Sequence, residues 1–430
     1  MVIMSSLDNN QLLKWLEDVE KSVVNRDGKI LTHLFAVKNV PHLSKPFLIK
    51  LTSQKIHHSI EKYFANRKVP FANSLKIVTE NFLEICRECT KNSCQWNNVI
   101  SNGTMLLNGW IEIYRDPDAL PCQWLVPVLI KVCSFLSRAG IIADSQLNIG
   151  YFENDDNDED YQNKYQITVL NAIRQQIGKF RGDEDRQAGY IVLMTESIKC
   201  CMQLRNMQMA STFLKHIELS NIDSSKVLRG PMVLFRYFLG KLYMQQENFL
   251  LSEEQLAWAF GHSNFKNVSF KRNILECLIA VRLRLGLLPS LKLLKKYKMY
   301  HYMEVREAIL QGNVKRFEKT LHNFSANFIH HGTILCVERV KFIVYRNLMR
   351  RIRSWSDKNL PGDPNKISFS AFEAGFKWQS DEIFDQQEMA CICANLIKLG
   401  YVKGYISWEH QVIVFSANDP FPSFKNIKAL

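Results

Sequence analysis

Residues Asp385–Pro422, DQQEMACICANLIKLGYVKGYISWEHQVIVFSANDPFP, decide the fold. Met389, Ile392, Cys393, Leu396 and Leu399 recur at helical spacing. Gly400 follows, where a helix C-terminus favours a residue free to take positive φ. Two runs of strand character come next. In Tyr401–Trp408, Val402, Gly404, Ile406 and Trp408 alternate with Tyr401, Lys403, Tyr405 and Ser407. Gln411–Ser416 carries Val412, Ile413, Val414 and Phe415, and Glu409-His410 between the runs is of hairpin-turn length. Helix, hairpin and a Pro-Phe-Pro stop predict a small winged helix.

Upstream of this stretch the periodicity is helical almost throughout. Leu239-Gly240, Tyr243, Ser252, Leu256 and Ala259 fall at the spacing of the tetratricopeptide consensus, where small residues let paired helices approach. The large aromatic of its first position is missing, so a similar helical hairpin is predicted rather than a true repeat. Further helices are expected at 271–287, 289–297, 302–311 (ended by Gly312-Asn313), 315–328 and 333–355. Near the N-terminus, Leu12, Trp15, Leu16, Val19 and Val23 form one buried stripe, with Asp8 or Asn9 as cap. Helical patterns also cover 71–90, 120–139, 161–179 and 189–209, with a kink or break expected at Pro127. Glu153–Asp160, ENDDNDED, holds six carboxylates in eight residues and reads as a solvated loop lacking the EF-hand pattern. The fold class expected is all-α: a right-handed, tetratricopeptide-like solenoid ending in a winged helix with a β-hairpin. Its parts are an N-terminal array (1–220), a helical-repeat part (221–332) and a winged-helix part (333–424).

The net charge of +13 is concentrated: residues 271–353 hold 18 Lys and Arg against 5 Asp and Glu. That excess equals the charge of the whole chain, which points to a polyanionic partner. Along the long helix expected at 333–355, at 100° per residue, Arg339, Arg346, Arg350 and Arg353 fall within about 60° of one another. Val337, Val344, Tyr345, Leu348, Ile352 and Trp355 would then occupy the opposite, buried side. Such a row suits phosphates held without base selectivity. With Lys403 of the wing, these four arginines are the candidate nucleic-acid contacts. The helix at 385–399 exposes Gln386, Gln387, Glu388, Asn395 and Lys398, a poor set for reading base edges, so sequence-specific DNA binding is not expected.

Catalytic and metal chemistry finds no constellation to work with. Cys86-Arg-Glu-Cys89 has Cys94 nearby but no second pair at zinc spacing, and Cys391 and Cys393 cannot face one ion from a helix. His57-His58 and His330-His331 lack a metalloprotease context, and there is no phosphate-binding glycine loop or nucleophile elbow. No catalytic residue, metal or cofactor is therefore expected. Eleven cysteines without a framework, and a start (MVIMSSLDNN) with no apolar leader, imply a reducing compartment. The apolar window 124–130 is interrupted by Pro127 and is far shorter than the ~20 residues of a spanning helix, so no membrane is expected.

Residues 235–424 resemble the PCI-domain family, named for proteasome-lid, signalosome and initiation-factor subunits. The resemblance rests on Tyr237-Phe238-Leu239-Gly240, Ala259-Phe260, Leu293-Leu294-Lys295-Lys296-Tyr297 and Tyr345-Arg346-Asn347-Leu348. It extends through Ala394-Asn395-Leu396-Ile397 and Val402-Lys403-Gly404-Tyr405-Ile406-Ser407 to Pro420-Phe421-Pro422. The wording is similar to the branch holding the PCI subunit of the nuclear-pore transcription-and-export complex and its signalosome-associated relative. That resemblance implies a non-enzymatic scaffold in the nucleus, at the nuclear pore and in part cytoplasmic. It implies three partners: a large PCI-like scaffold subunit, a small acidic disordered protein shared with the proteasome lid, and RNA or DNA bound without sequence preference. Two alternatives stand beside it: a scaffold subunit of a signalosome, proteasome-lid or initiation-factor assembly, and a winged-helix DNA-binding regulator.

Overall fold

A computed structural model describes residues 6–430 other than 38–39, 41, 66, 92, 152–162, 181, 221, 224–225, 360–362, 364, 380–384, 425–426 and 428–430. The acidic stretch Glu153–Asp160 lies outside the described residues. The chain forms two compact units, Met1–Phe238 and Leu239–Leu430.

In the first unit the helix Ser6–Val24 buries Leu12, Trp15, Leu16, Val19 and Val23, the stripe expected of it. Trp15 stacks on Phe82 at 5.6 Å between centroids, and its indole N–H donates to the Leu34 carbonyl at 3.3 Å. The helix begins at Ser6, so Asp8 and Asn9 lie inside it rather than capping it. Asp27 is the cap of its successor: its carboxylate accepts from the N–H of Lys29 and of Ile30 at the head of Gly28–Leu34.

Pro127 starts a helix instead of kinking one. A 3₁₀ turn at Cys122–Leu125 runs into the helix Val126–Tyr151, whose first turn has no use for the N–H that proline lacks. Cys122–Leu147 is long and apolar enough, by length and composition, to cross a membrane, more than the short window at 124–130 suggested. Its surroundings are those of a core helix. Val128, Leu129, Cys133 and Leu136 are buried, Leu136 fills the space a Cβ on Gly103 would take, and Ser134 and Ser137 donate to the buried Glu196 carboxylate. Near its end Asp144 accepts from the N–H of Tyr165 and of Gln166, at 2.9 and 3.0 Å, holding the start of the helix Lys164–Ile177.

The second unit opens on the predicted helical hairpin. The end of Arg229–Gln245 packs on Phe249–His262 so closely that a Cβ on Gly240 would lie 2.6 Å from the Leu256 side chain. Ser252 Oγ donates to the Gly240 carbonyl at 2.7 Å, locking the crossing. The helices Val268–Arg284, Leu291–Lys296, Tyr300–Gln311, Val314–Asn323 and Ser325–His331 follow. Gly312, at φ +60°, ends the third of these, and Asn313 caps the next through Arg316 N–H, so Gly312-Asn313 is both stop and start.

The long helix expected over 333–355 is two elements. Ile334–Glu338 ends at Arg339, a turn carries Arg339 and Val340, and Lys341–Asn359 begins beyond it. After this comes the winged helix: strand β1 (Lys366–Ser368), helices Phe369–Gln379 and Gln386–Lys398, then strands β2 (Gly404–Ser407) and β3 (Val412–Phe415). The sheet is antiparallel in the order β1-β3-β2, with Ile406 opposite Ile413 and Ile367 on its other side. Ile413 and Phe415 point into the core. The second helix opens with a capping box between Asp385 and Glu388, and Gly400 takes φ +71° after it, as its position predicts. Tyr401 and Val402 are fully buried before β2 starts, so the first run anchors the wing as much as it pairs. The fold class is the expected one: all-α, closing on a winged helix with a β-hairpin.

Candidate functional site

The candidate cations of the second unit do not share a surface. Arg346 is the sharpest departure, at 5% exposure. Its Nε donates to the Tyr401 carbonyl at 3.2 Å, and one terminal nitrogen donates to the carbonyls of Phe421 (3.1 Å) and Pro422 (2.8 Å). The other donates to the Asn347 side chain, and the guanidinium lies 4.5 Å from the Phe424 ring centre. Burial, with Arg350 alongside, lowers its pKa from the usual arginine value. Arg346 therefore ties the helix Lys341–Asn359 to the wing and to the Pro-Phe-Pro segment, and it is removed from the list of phosphate contacts.

Arg284 does the same from another helix. It is buried, donates to the Tyr401 hydroxyl, and sits 5.3 Å over the Phe249 ring. Tyr401 is thus gripped by one arginine at its carbonyl and another at its hydroxyl. Burial raises the pKa of its phenol, an effect the two cations partly offset. The interior of the winged helix is organised around this pair.

The remaining members of the row are dispersed. Arg339 sits in the turn, off the helix that carries the others, and forms a bidentate pair with Glu247. Arg353 donates to Asn365 at 2.9 Å and lies 5.3 Å over the Phe415 ring. Lys403 is exposed, 3.7 Å from Asp419. Arg350 keeps its expected place in solvent, and Arg351, which the row arithmetic left out, is exposed beside it. Trp355, assigned to the buried side, is 58% exposed. The turn at Arg339-Val340 takes Arg339 out of the row, while Arg346, on the same helix as Arg350 and Arg353, leaves it because the wing and the Pro-Phe-Pro segment cover that part of the helix.

Comparison with known proteins bears on the family. A protein of Xenopus laevis called PCI domain-containing protein 2 is 31% identical over 245 residues, covering 57% of this chain and 60% of that protein. Its namesake in Danio rerio is 24% identical over 428 residues, 97% of this chain and 98% of the relative. Enhanced ethylene response protein 5 of Arabidopsis thaliana is 27% identical over 317 residues, 73% of each chain. These relatives support a PCI-domain family. No family model matches the chain.

Within the second unit the cations left for a ligand lie mainly upstream of the expected row. Lys292, Lys295 and Lys298, on and just after the helix Leu291–Lys296, are exposed and pair with no carboxylate among the described residues. Between Gln255 and Met303 the chain has nine Lys and Arg against one carboxylate, Glu276. That carboxylate is buried and bonded to His301 at 2.9 Å, so it screens nothing outside. The signal was present in the charge count, but the longer helix drew the assignment.

Burial pushes the Cys86 thiol well up and that of Cys393 up to about 12, the reverse of what a nucleophilic or metal-binding cysteine needs. Among the described residues no group of three or more His, Cys, Asp or Glu could hold a metal ion.

Proposed function

We propose that the chain is a non-enzymatic scaffold subunit of a nuclear complex that couples transcription to messenger RNA export. Its winged helix would pair with a large PCI-like scaffold subunit, and its helical layer would hold a small acidic protein. Exposed cations would take RNA or DNA by the backbone, without sequence preference. The observation that carries this reading is the excess charge of residues 271–353, in a chain similar to proteins named as PCI domain-containing. An even surface with this balance would be unremarkable; here the excess falls on Lys292, Lys295, Lys298, Arg350 and Arg351, all in solvent.

Affinity purification of the tagged full chain from nuclear extract, followed by mass spectrometry, tests the assignment. One large scaffold protein and one small acidic protein at near-equal amounts are expected. A ring of several other PCI proteins would replace this reading with a signalosome- or proteasome-lid-type assembly.

A further inference from the structure

Near Lys292, Lys295 and Lys298, cations and aromatic rings are joined in one chain of contacts. Phe265, 75% exposed, lies 4.2 Å from the Lys271 ammonium. The same ammonium, itself buried and so a link between rings rather than a phosphate site, lies 4.7 Å from the Phe260 ring, and Phe260 meets Tyr297 edge-on at 6.0 Å. Lys296 closes the series 5.7 Å from Tyr297. Lys266 adjoins one end in sequence. Lys292, Lys295 and Lys298, with Tyr300 at 60% exposure, adjoin the other. Three elements build this strip: the helix Phe249–His262 and the loop after it, the start of Val268–Arg284, and Leu291–Lys296 with the turn that follows.

We propose that this strip is a track for single-stranded nucleic acid, with phosphates on the lysines and bases stacked on Phe265 and Tyr300. The inference rests on the nucleic-acid part of the function proposed above and gives it a place and a strand preference. Its logic is one of matching. A single strand carries a charged phosphate and a flat, unpaired base in each unit, and the strip sets exposed ammonium groups beside the exposed rings of Phe265 and Tyr300. A duplex keeps its bases stacked inside and offers only phosphates, so Phe265 and Tyr300 would gain nothing from it. An acidic peptide supplies charge without a flat partner for each ring.

The test is fluorescence anisotropy of the full chain with labelled single-stranded poly(U), a duplex RNA of equal length, and poly-glutamate as competitor. Two variants are compared with the native chain: Lys292→Glu/Lys295→Glu/Lys298→Glu, and Phe265→Ala/Tyr300→Ala. Both alter exposed side chains, and circular dichroism melts verify that they fold. The lysine variant is expected to bind poly(U) at least about tenfold more weakly. The aromatic variant should lose about fivefold or more on poly(U) and nothing on the duplex. Equal poly(U) binding by folded variants and native chain overturns the track while leaving the wider reading standing. A native chain that binds neither RNA overturns both. An aromatic variant that matches the native chain, with poly-glutamate competing as well as poly(U), overturns the track in favour of an acidic-protein surface.

Discussion

The helix Lys341–Asn359 and the segment Leu291–Tyr300 are both rich in cations, yet they use them in opposite ways. In the first, Arg346 is taken inside and its donors are spent on three backbone carbonyls. In the second, Lys292, Lys295 and Lys298 stay in water with no carboxylate partner among the described residues. The chemistry of the side chains explains the division. A guanidinium carries five donors in a flat fork and is weakly hydrated, so it can be buried if carbonyls meet it. An ammonium is compact and strongly hydrated and remains outside unless a partner or ring receives it. A count of positive residues therefore measures two things at once: the glue of the winged helix and the potential of its surface.

The largest effect should come from Arg346→Met. It keeps the aliphatic stem but strands buried carbonyls of Tyr401, Phe421 and Pro422, a loss of about 3 kcal/mol. Urea unfolding followed through the second unit would show a lower midpoint; an unchanged midpoint would break the distinction between the two regions. Arg284→Met should cost about 2 kcal/mol, since the buried Tyr401 hydroxyl loses its partner and Phe249 its cation.

Alkaline pH should act on the buried groups, those of the winged helix among them. Burial raises the pKa of Tyr401 above its usual 10.0 and pushes Cys336 and Cys393 from 9.0 to about 12. The unfolded chain then releases protons that the folded chain keeps. Stability is full below about pH 9 and falls as pH rises toward 12. Urea midpoints at a series of pH values check the sign, and a rise above pH 9 would contradict it. The smallest effect belongs to the exposed cations. Arg350→Ala, Arg351→Ala and the lysine triple should each leave stability within about 0.5 kcal/mol, read from thermal melts.

Sequence pattern disclosed the hairpin, its capped helix and the Gly240–Leu256 crossing, because each is a local matter of periodicity, caps and small residues. β1 stayed hidden, since three residues are too few to display alternation; its partner β3 lies more than forty residues away. The break at Arg339-Val340 has neither glycine nor proline to announce it, so arithmetic valid for one helix was applied across two. The burial of Arg346 was equally silent. The groups that receive it, Phe421 and Pro422, stand 75 and 76 residues further along the chain, and an interior arginine looks in sequence like an exterior one. The strip of rings and lysines was only half legible: its charge showed in the count, but the approach of Phe260 to Tyr297 belongs to the tertiary fold.

The claim that Arg346 is structural while the lysines of 292–298 meet phosphate is tested most directly by one salt titration. Binding of single-stranded poly(U) is measured over a range of salt concentrations for the native chain and for Lys292→Glu/Lys295→Glu/Lys298→Glu. Removing three phosphate contacts should flatten the slope of log affinity against log salt by about 2. Parallel lines of equal affinity would contradict the account.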